Sequence, residues 1–191
     1  MSDANHKSLV PRRTPISKQG LRFVLATIGI AAGILVGFGL LGFRLNLTPS
    51  YPLGLWQITN DTPKKGDLVM FDFPIRNPLA LIAHDRGYLR DGASGYMPLM
   101  KRLAAVAGDK VTIGDHVEIN GTSWPNGDIR QVDSNGREVL SVASSEIVKA
   151  GTCWLLSDYN PRSFDSRYFG AVSTHAITAV ARPIFVIQSE F

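Results

Sequence analysis

The chain opens with a polar, basic tail, passes through a long uncharged segment, and then breaks into short apolar runs separated by Gly, Pro, Asn and Asp. Residues 23–43, FVLATIGIAAGILVGFGLLGF, carry no charge and are bracketed by Arg22 and Arg44. At about 1.5 Å per residue such a helix is roughly 31 Å long, which matches a hydrocarbon core of about 30 Å. A core helix of a soluble domain is rarely apolar on every face over this length. The segment therefore predicts a transmembrane anchor at 23–43, preceded by a tail at 1–22 and followed by one domain at 44–191.

Beyond Arg44 the alternation predicts strands at 55–58, 67–73, 99–104, 110–113, 116–119, 152–156, 171–172 and 178–186. Turn dipeptides divide them, among them Gly108-Asp109, Asn120-Gly121, Asn126-Gly127 and Asn135-Gly136. Asn-Gly is the preferred pair for a tight hairpin, so 116–124 reads as a hairpin around Asn120-Gly121. One helix is expected, over 78–90. The fold class that follows is mainly β, an antiparallel folded sheet or open barrel with one N-terminal transmembrane helix.

Charge changes this picture only at the N-terminus. The formal net charge of +4 lies in the tail, where Lys7, Arg12, Arg13, Lys18 and Arg22 face Asp3 alone, and the remainder of the chain is neutral. A nucleic-acid-binding domain gains no support from such a distribution. Basic residues before the span place the tail in the cytoplasm and the domain outside, by the positive-inside rule. For a Gram-negative cell this means a single-pass inner-membrane protein with a periplasmic domain. Arg12-Arg13 ahead of an apolar run also fits a cleaved signal peptide, but the run exceeds 7–15 residues and no A-x-A-like site closes it. The lone Cys153 cannot form an intramolecular disulfide, and it reads as a small buried hydrophobe in a strand. The four histidines form no i, i+4 pair, so no metal site is expected, and no cofactor.

Three segments carry candidate chemistry. Ser50 stands between Pro49 and Pro52 shortly before Gly54, which holds its hydroxyl on a stiff loop; an ordinary Pro-rich linker looks the same. In a strand over 99–104, Lys101 shares a face with Leu99 and Leu103, while Arg102 points away. Burial among apolar side chains lowers a lysine pKa, and a neutral lysine can take a proton from a serine. A lysine reaching out to solvent at a sheet edge remains the plain alternative. The third segment, 157–170, is dense in polar groups, with Ser163, Asp165 and Arg167 placed for mutual pairing; a solvated loop has the same composition. A Ser/His/Asp arrangement is disfavoured because His84-Asp85 falls within the expected helix.

Taken in order, these segments resemble the type I signal peptidase superfamily of Ser/Lys proteases, and more specifically the TraF-like conjugative transfer peptidases. Thr48-x-Ser50-x-Pro52-x-Gly54-Leu55-Trp56 is similar to the nucleophile box, and KGDLVMF at 65–71 to the strand after it. LMKRLAAVAGDKV at 99–111 resembles the lysine box, and SFDSRYFGAV at 163–172 the C-terminal box. Arg86-Gly87-Tyr88-Leu89 is a further TraF-like feature. Two positions depart from the commoner signal peptidase pattern: Leu156-Ser157-Asp158 replaces Gly-Asp, and Ala107-Gly108 replaces Pro-Gly.

The resemblance implies that Ser50 is the nucleophile and Lys101 its base. The Ser50 N–H and the Thr48 hydroxyl would form the oxyanion hole, Ser163 would orient Lys101, and Asp165 would act in a network with Arg167. A carboxylate close to Lys101 would raise the lysine pKa and oppose its use as a base, which makes the role of Asp165 the open question. The implied partner is a precursor polypeptide at the membrane surface, with maturation of a conjugative pilin as the expected activity. Hydrolysis and cyclisation are both open. A general signal peptidase acting on secretory leaders is the alternative within the class, and a non-catalytic scaffold of a secretion or pilus complex the alternative outside it. The oligomeric state is not legible.

Overall fold

The computed structural model describes residues 17–47, 50–93 and 95–187. The chain divides into one unit ending at Leu40 and a second beginning at Leu41. The first is a helix, α1 (Lys18–Leu40). Ser17 starts it, its Oγ accepting from Gly20 N at 3.0 Å, an N-cap contact that satisfies an otherwise orphaned donor. Phe23, Ile28, Ile34 and Leu40 are exposed along it, and the helix is long and apolar enough to cross a membrane. It starts five residues before the uncharged run and ends three before that run does, because Gly42 takes φ 81° and Phe43 opens a strand.

The second unit is built from short strands: β1 (Phe43–Asn46), β2 (Leu53–Thr59), β3 (Leu68–Phe71), β4 (Asp91–Gly92), β5 (Gly95–Tyr96), β6 (Leu99–Ala105), β7 (Lys110–Ile113), β8 (His116–Ile119), β9 (Thr122–Asp128), β10 (Glu146–Ile147), β11 (Thr152–Leu156), β12 (Val172–Ser173) and β13 (Ile177–Ile187). Two short helices, α2 (Ala80–Asp85) and α3 (Ser166–Phe169), interrupt them. The main sheet runs β1-β2-β13-β3-β6-β11-β12, a second runs β10-β7-β8-β9, and β4 pairs with β5. Every pairing given for these strands is antiparallel, as the alternation predicts.

The β8–β9 turn uses Asn120 and Gly121, both at positive φ (53° and 77°), as a tight hairpin requires. Gly54 has a different reason to be glycine. Its φ is 145°, and a Cβ there would meet Phe185 O at 2.2 Å, where the β2–β13 register shifts between Pro183 and Phe185. The helix expected over 78–90 is only Ala80–Asp85, because Tyr88 N and Leu89 N turn back to the Ala83 carbonyl (2.8 and 3.2 Å) and Gly87 takes φ 77°.

Burial separates the two faces of the main sheet. Val69, Phe71, Leu103, Leu155 and Val180 pack with Leu79, Ala83, Leu89, Tyr168 and Phe169 on one side. Leu68, Met100 and Ala181 pack with Tyr51 and Trp56 on the other. A third cluster, including Val111, Val117, Trp154 and Leu156, joins the main sheet to the smaller one. Cys153 is buried, and burial pushes its thiol up to about 11.

Candidate active site

Strand alternation decides what happens to Lys101. It pairs with Val69 on β3 and shares its face with Leu103, whereas Arg102 and Met100 turn to the opposite face. Lys101 is 1% exposed, and among the described residues it forms no ion pair. Burial is the largest influence on its ammonium group and lowers it; the Asp165 charge raises it and the Arg167 charge lowers it, leaving Lys101 at about 8. A tenth or so of such an amine is already neutral one pH unit below that value, enough to serve as a base near neutrality.

Arg102, on the other face, bonds Asp158 through Nε at 2.5 Å. Asp158 also accepts from the Tyr51 hydroxyl at 2.9 Å. Tyr51 is thereby fastened to the end of β11, and its ring stacks on Tyr159. Asn46 closes the segment from the other side: its Nδ2 donates to the carbonyls of Tyr51 (3.0 Å) and Pro52 (3.1 Å). The loop carrying Ser50 joins β1 to β2, whose pairing runs up to Asn46 and Gly54, and the side-chain bonds at Tyr51 and Pro52 add to that closure.

Ser157 brings these parts together. In the β6–β11 pairing Arg102, the residue after Lys101, opposes Leu156, the residue before Ser157. The Ser157 hydroxyl donates to the Ser50 carbonyl at 3.3 Å, and its N–H donates to Asp165 Oδ2 at 3.0 Å. The same hydroxyl accepts from Tyr159 N and Asn160 N. In the sequence Ser157 opens the polar segment 157–170 and departs from a Gly-Asp pattern; its hydroxyl is a local signal, whereas its partner at Ser50, half a chain away, is not.

Asp165 and Arg167 are fully buried and bonded to one another twice, Nε to Oδ1 and Nη2 to Oδ2, both at 2.8 Å. Asp165 also caps α3, accepting from Arg167 N at 3.1 Å. Arg167 then spends its remaining donors on the carbonyls of Asn126 (2.7 Å), Asp128 (3.1 Å), Pro161 (3.2 Å) and Ser163 (3.2 Å). Ser163 is 4% exposed, and its Oγ has no hydrogen-bond partner among the described residues. Thr48 lies outside the described residues. His84 is turned away to Asp91 (3.0 Å) and the Tyr96 ring.

The structure thus gathers Ser50, Lys101, Ser157 and Asp165 around one end of β6 and β11. Residues 18–186 match the family model described as signal peptidase, peptidase S26, and the chain belongs to that family. Within it the similarity runs to conjugation proteins. A conjugal transfer protein TraF of Agrobacterium tumefaciens (strain 15955) is 44% identical over 151 residues, covering 77% of this chain and 84% of that protein. A plasmid transfer protein TraF of Escherichia coli is 37% identical over 172 residues, covering 87% and 96%. Among solved structures, a signal peptidase I from Enterococcus faecalis V583 aligns with 22% identity and a TM-score of 0.36, over 63% of this chain and 97% of that one.

Proposed function

We propose that this chain is a membrane-anchored serine endopeptidase with a Ser50/Lys101 dyad, which matures a precursor polypeptide in conjugation. The observation that carries the reading is the burial of Lys101 within reach of the Asp165 charge, while Asp165 holds Ser157, whose hydroxyl donates to the Ser50 carbonyl. Neutral Lys101 takes the Ser50 proton as Oγ attacks the scissile carbonyl. The tetrahedral oxyanion is held by the Ser50 N–H and the Thr48 hydroxyl, the kind of donor pair worth about 3–4 kcal/mol per donor removed. The C–N bond then breaks, the proton passes from Lys101 to the leaving amine, and an ester remains on Ser50. Water resolves it to a carboxylic acid; an amine on the same precursor resolves it to a ring.

Asp165 keeps Arg167 neutralised and fixes Ser157, and so acts on both members of the dyad without touching either. Ser163, with a spare hydroxyl beside this network, is the group assigned to orient Lys101. The helix α1 is the anchor of a bacterial inner-membrane protein, its basic tail in the cytoplasm and the catalytic domain in the periplasm. Names of the relatives favour a conjugative pilin as substrate over secretory leaders.

Ser50→Ala and Lys101→Ala in the full chain test the reading, with the co-expressed candidate pilin followed by mass spectrometry. Both should abolish processing while the protein stays inserted and folded. Processing that survives Lys101→Ala at neutral pH overturns the dyad, and processing indifferent to both variants leaves the scaffold role. Ring closure reads as loss of one water from the mature product.

A further inference from the structure

A second feature of the domain lies beside the residues assigned above and shares only Ser163 with them. Residues 131–139 form a small hairpin, closed by Asp133 N to Arg137 O and Val139 N to Gln131 O (both 2.8 Å), with Gly136 at φ 73° in the turn. It folds against the segment that carries the C-terminal box. Between them lies a cavity of about 420 Å³, whose wall includes Arg86, Arg130, Arg137, Arg162, Ser163 and Asp133. That volume lies within the range of small-ligand and side-chain pockets.

Its charge is one-sided. Among the described residues Asp133 is the only carboxylate on the wall, and it is already engaged. It accepts from the Tyr88 hydroxyl, from Arg137 Nε at 2.7 Å and from the N–H groups of Asn135 and Arg137. The Tyr88 bond, foremost, holds its carboxyl well below the usual range. Arg86 and Arg137 are fixed in place: Arg86 Nη1 donates to the Glu138 carbonyl, Arg137 Nη2 donates to the Arg86 carbonyl at 3.3 Å, and the Arg137 guanidinium lies 5.9 Å from the Tyr88 ring centre. Arg130 and Arg162 are exposed, and among the described residues neither guanidinium has an ion pair. The cavity is therefore strongly positive, with two fork-shaped donors uncommitted.

Ser163 supplies the second observation. Its buried Oγ has no partner among the described residues and belongs to a residue on this wall. A buried hydroxyl left unbonded is unfavourable, so Ser163 gains by turning its enclosed Oγ toward a ligand oxygen held at the wall by the two arginines. A hydroxyl carries one donor and two acceptor sites. Donating to an anion would leave its lone pairs for Lys101.

From this we infer that the cavity is a recognition site for a carboxylate of the precursor, either an acidic side chain or a free C-terminus, beside the scissile segment. The inference rests on the peptidase reading. Arginine forks match carboxylates in a bidentate geometry, and the cavity wall includes Ser163, the residue assigned to orient Lys101, which favours the bound peptide itself over an unrelated anion.

The test uses the full chain carrying Ser50→Ala, in detergent micelles, so that binding is read without turnover. The probe is a fluorescein-labelled decapeptide with three glutamates and a free C-terminus, beside its C-terminal amide and an all-glutamine C-terminal amide, which carries no carboxylate. Fluorescence anisotropy should show the glutamate peptide binding at least about tenfold more tightly than the glutamine one, with affinity falling steeply as salt rises. Equal binding of the amide assigns recognition to the side chains; its loss assigns it to the terminus. Arg130→Gln with Arg162→Gln should weaken the acidic peptide at least about tenfold, the size of one lost charge-assisted contact. Ser163→Ala should weaken it by a smaller factor, and unchanged thermal melting would show that the variants fold. Equal affinity for the two peptide compositions, indifference to the arginine variants, or displacement of the probe by phosphatidylglycerol vesicles but not by unlabelled acidic peptide would each overturn the site. Precursor cleavage by the chain with Ser50 intact is followed separately: cleavage without carboxylate selectivity sinks the cavity alone, whereas binding without cleavage sinks the peptidase reading alone.

Discussion

Among the described residues of this domain two cations are buried, and they are treated in opposite ways. Arg167 is wholly enclosed, yet its donors reach Asp165 and four backbone carbonyls. Lys101 is just as enclosed and is left without a counter-ion within bonding reach among the described residues. Full satisfaction makes Arg167 a permanent charge that ties the strand end near Asn126 to the 161–163 loop. Deprivation makes Lys101 a charge that is readily given up. The first is architecture and the second, on the proposed mechanism, is reactivity, and each needs the other. Without Arg167, the Asp165 carboxylate would act on Lys101 unopposed and raise it out of the useful range.

The largest effect that sharpens this contrast is on turnover. Lys101→Met should lower processing about 10²–10⁴-fold, the range for loss of a general base. It should also stabilise the fold at neutral pH by up to about 3 kcal/mol, since a lysine lowered from 10.5 to about 8 is disfavoured by that order in its charged form. A less stable Lys101→Met protein, by chemical denaturation, would show that the ammonium is not a burden to folding. Next comes Asp165→Ala, which strands Arg167 without its partner and should destabilise by about 3–5 kcal/mol. A folded, fully stable variant that is nonetheless inactive would move Asp165 from architecture to chemistry.

The pH dependence is smaller and has a definite sign. Below about 8, activity should fall about tenfold per pH unit as Lys101 protonates, and a flat rate profile from pH 6 to 9 would count against its role. Stability should move with it. Between about 8, the folded value, and 10.5, the ordinary one, the folded chain binds fewer protons than the unfolded chain. The Lys101 contribution to stability therefore rises with pH across that window, and the destabilisation is fully present below it. Smallest is Ser157→Ala, which removes the bond to the Ser50 carbonyl and should cost about 1 kcal/mol. Read as kcat with KM little changed, it would identify Ser157 as a positioning residue; a change in KM alone would not.

Much of this was legible along the chain, because it depends on local rules. Period-two alternation located strands β6, β7, β8 and β11 to within a residue, and the same alternation put Lys101 and Arg102 on opposite faces. Asn120-Gly121 announced its own turn. What escaped depends on closure of the whole domain. Nothing near Ser157 signals a carbonyl at Ser50, and nothing near Arg167 signals the Asn126 and Asp128 carbonyls. The shortened α2 was missed because its last turn is won by Gly87 and by bonds back to Ala83, which periodicity does not register. Ser163 was expected beside Lys101, and its unpartnered hydroxyl is a property no sequence pattern contains.

The position of β13 has a temporal consequence. It is made late and sits in the middle, inserted between β2 and β3, so the sheet has a gap until residues 177–187 have been delivered. The strand that follows the Ser50 loop has one of its two neighbours missing during that interval. On the proposed peptidase reading, activity waits for this last strand to close the sheet beside the Ser50 loop. Pulse-labelled chains released before Ile177 should be protease-sensitive throughout the main sheet; resistance in such fragments would show that the late strand is not the closing step.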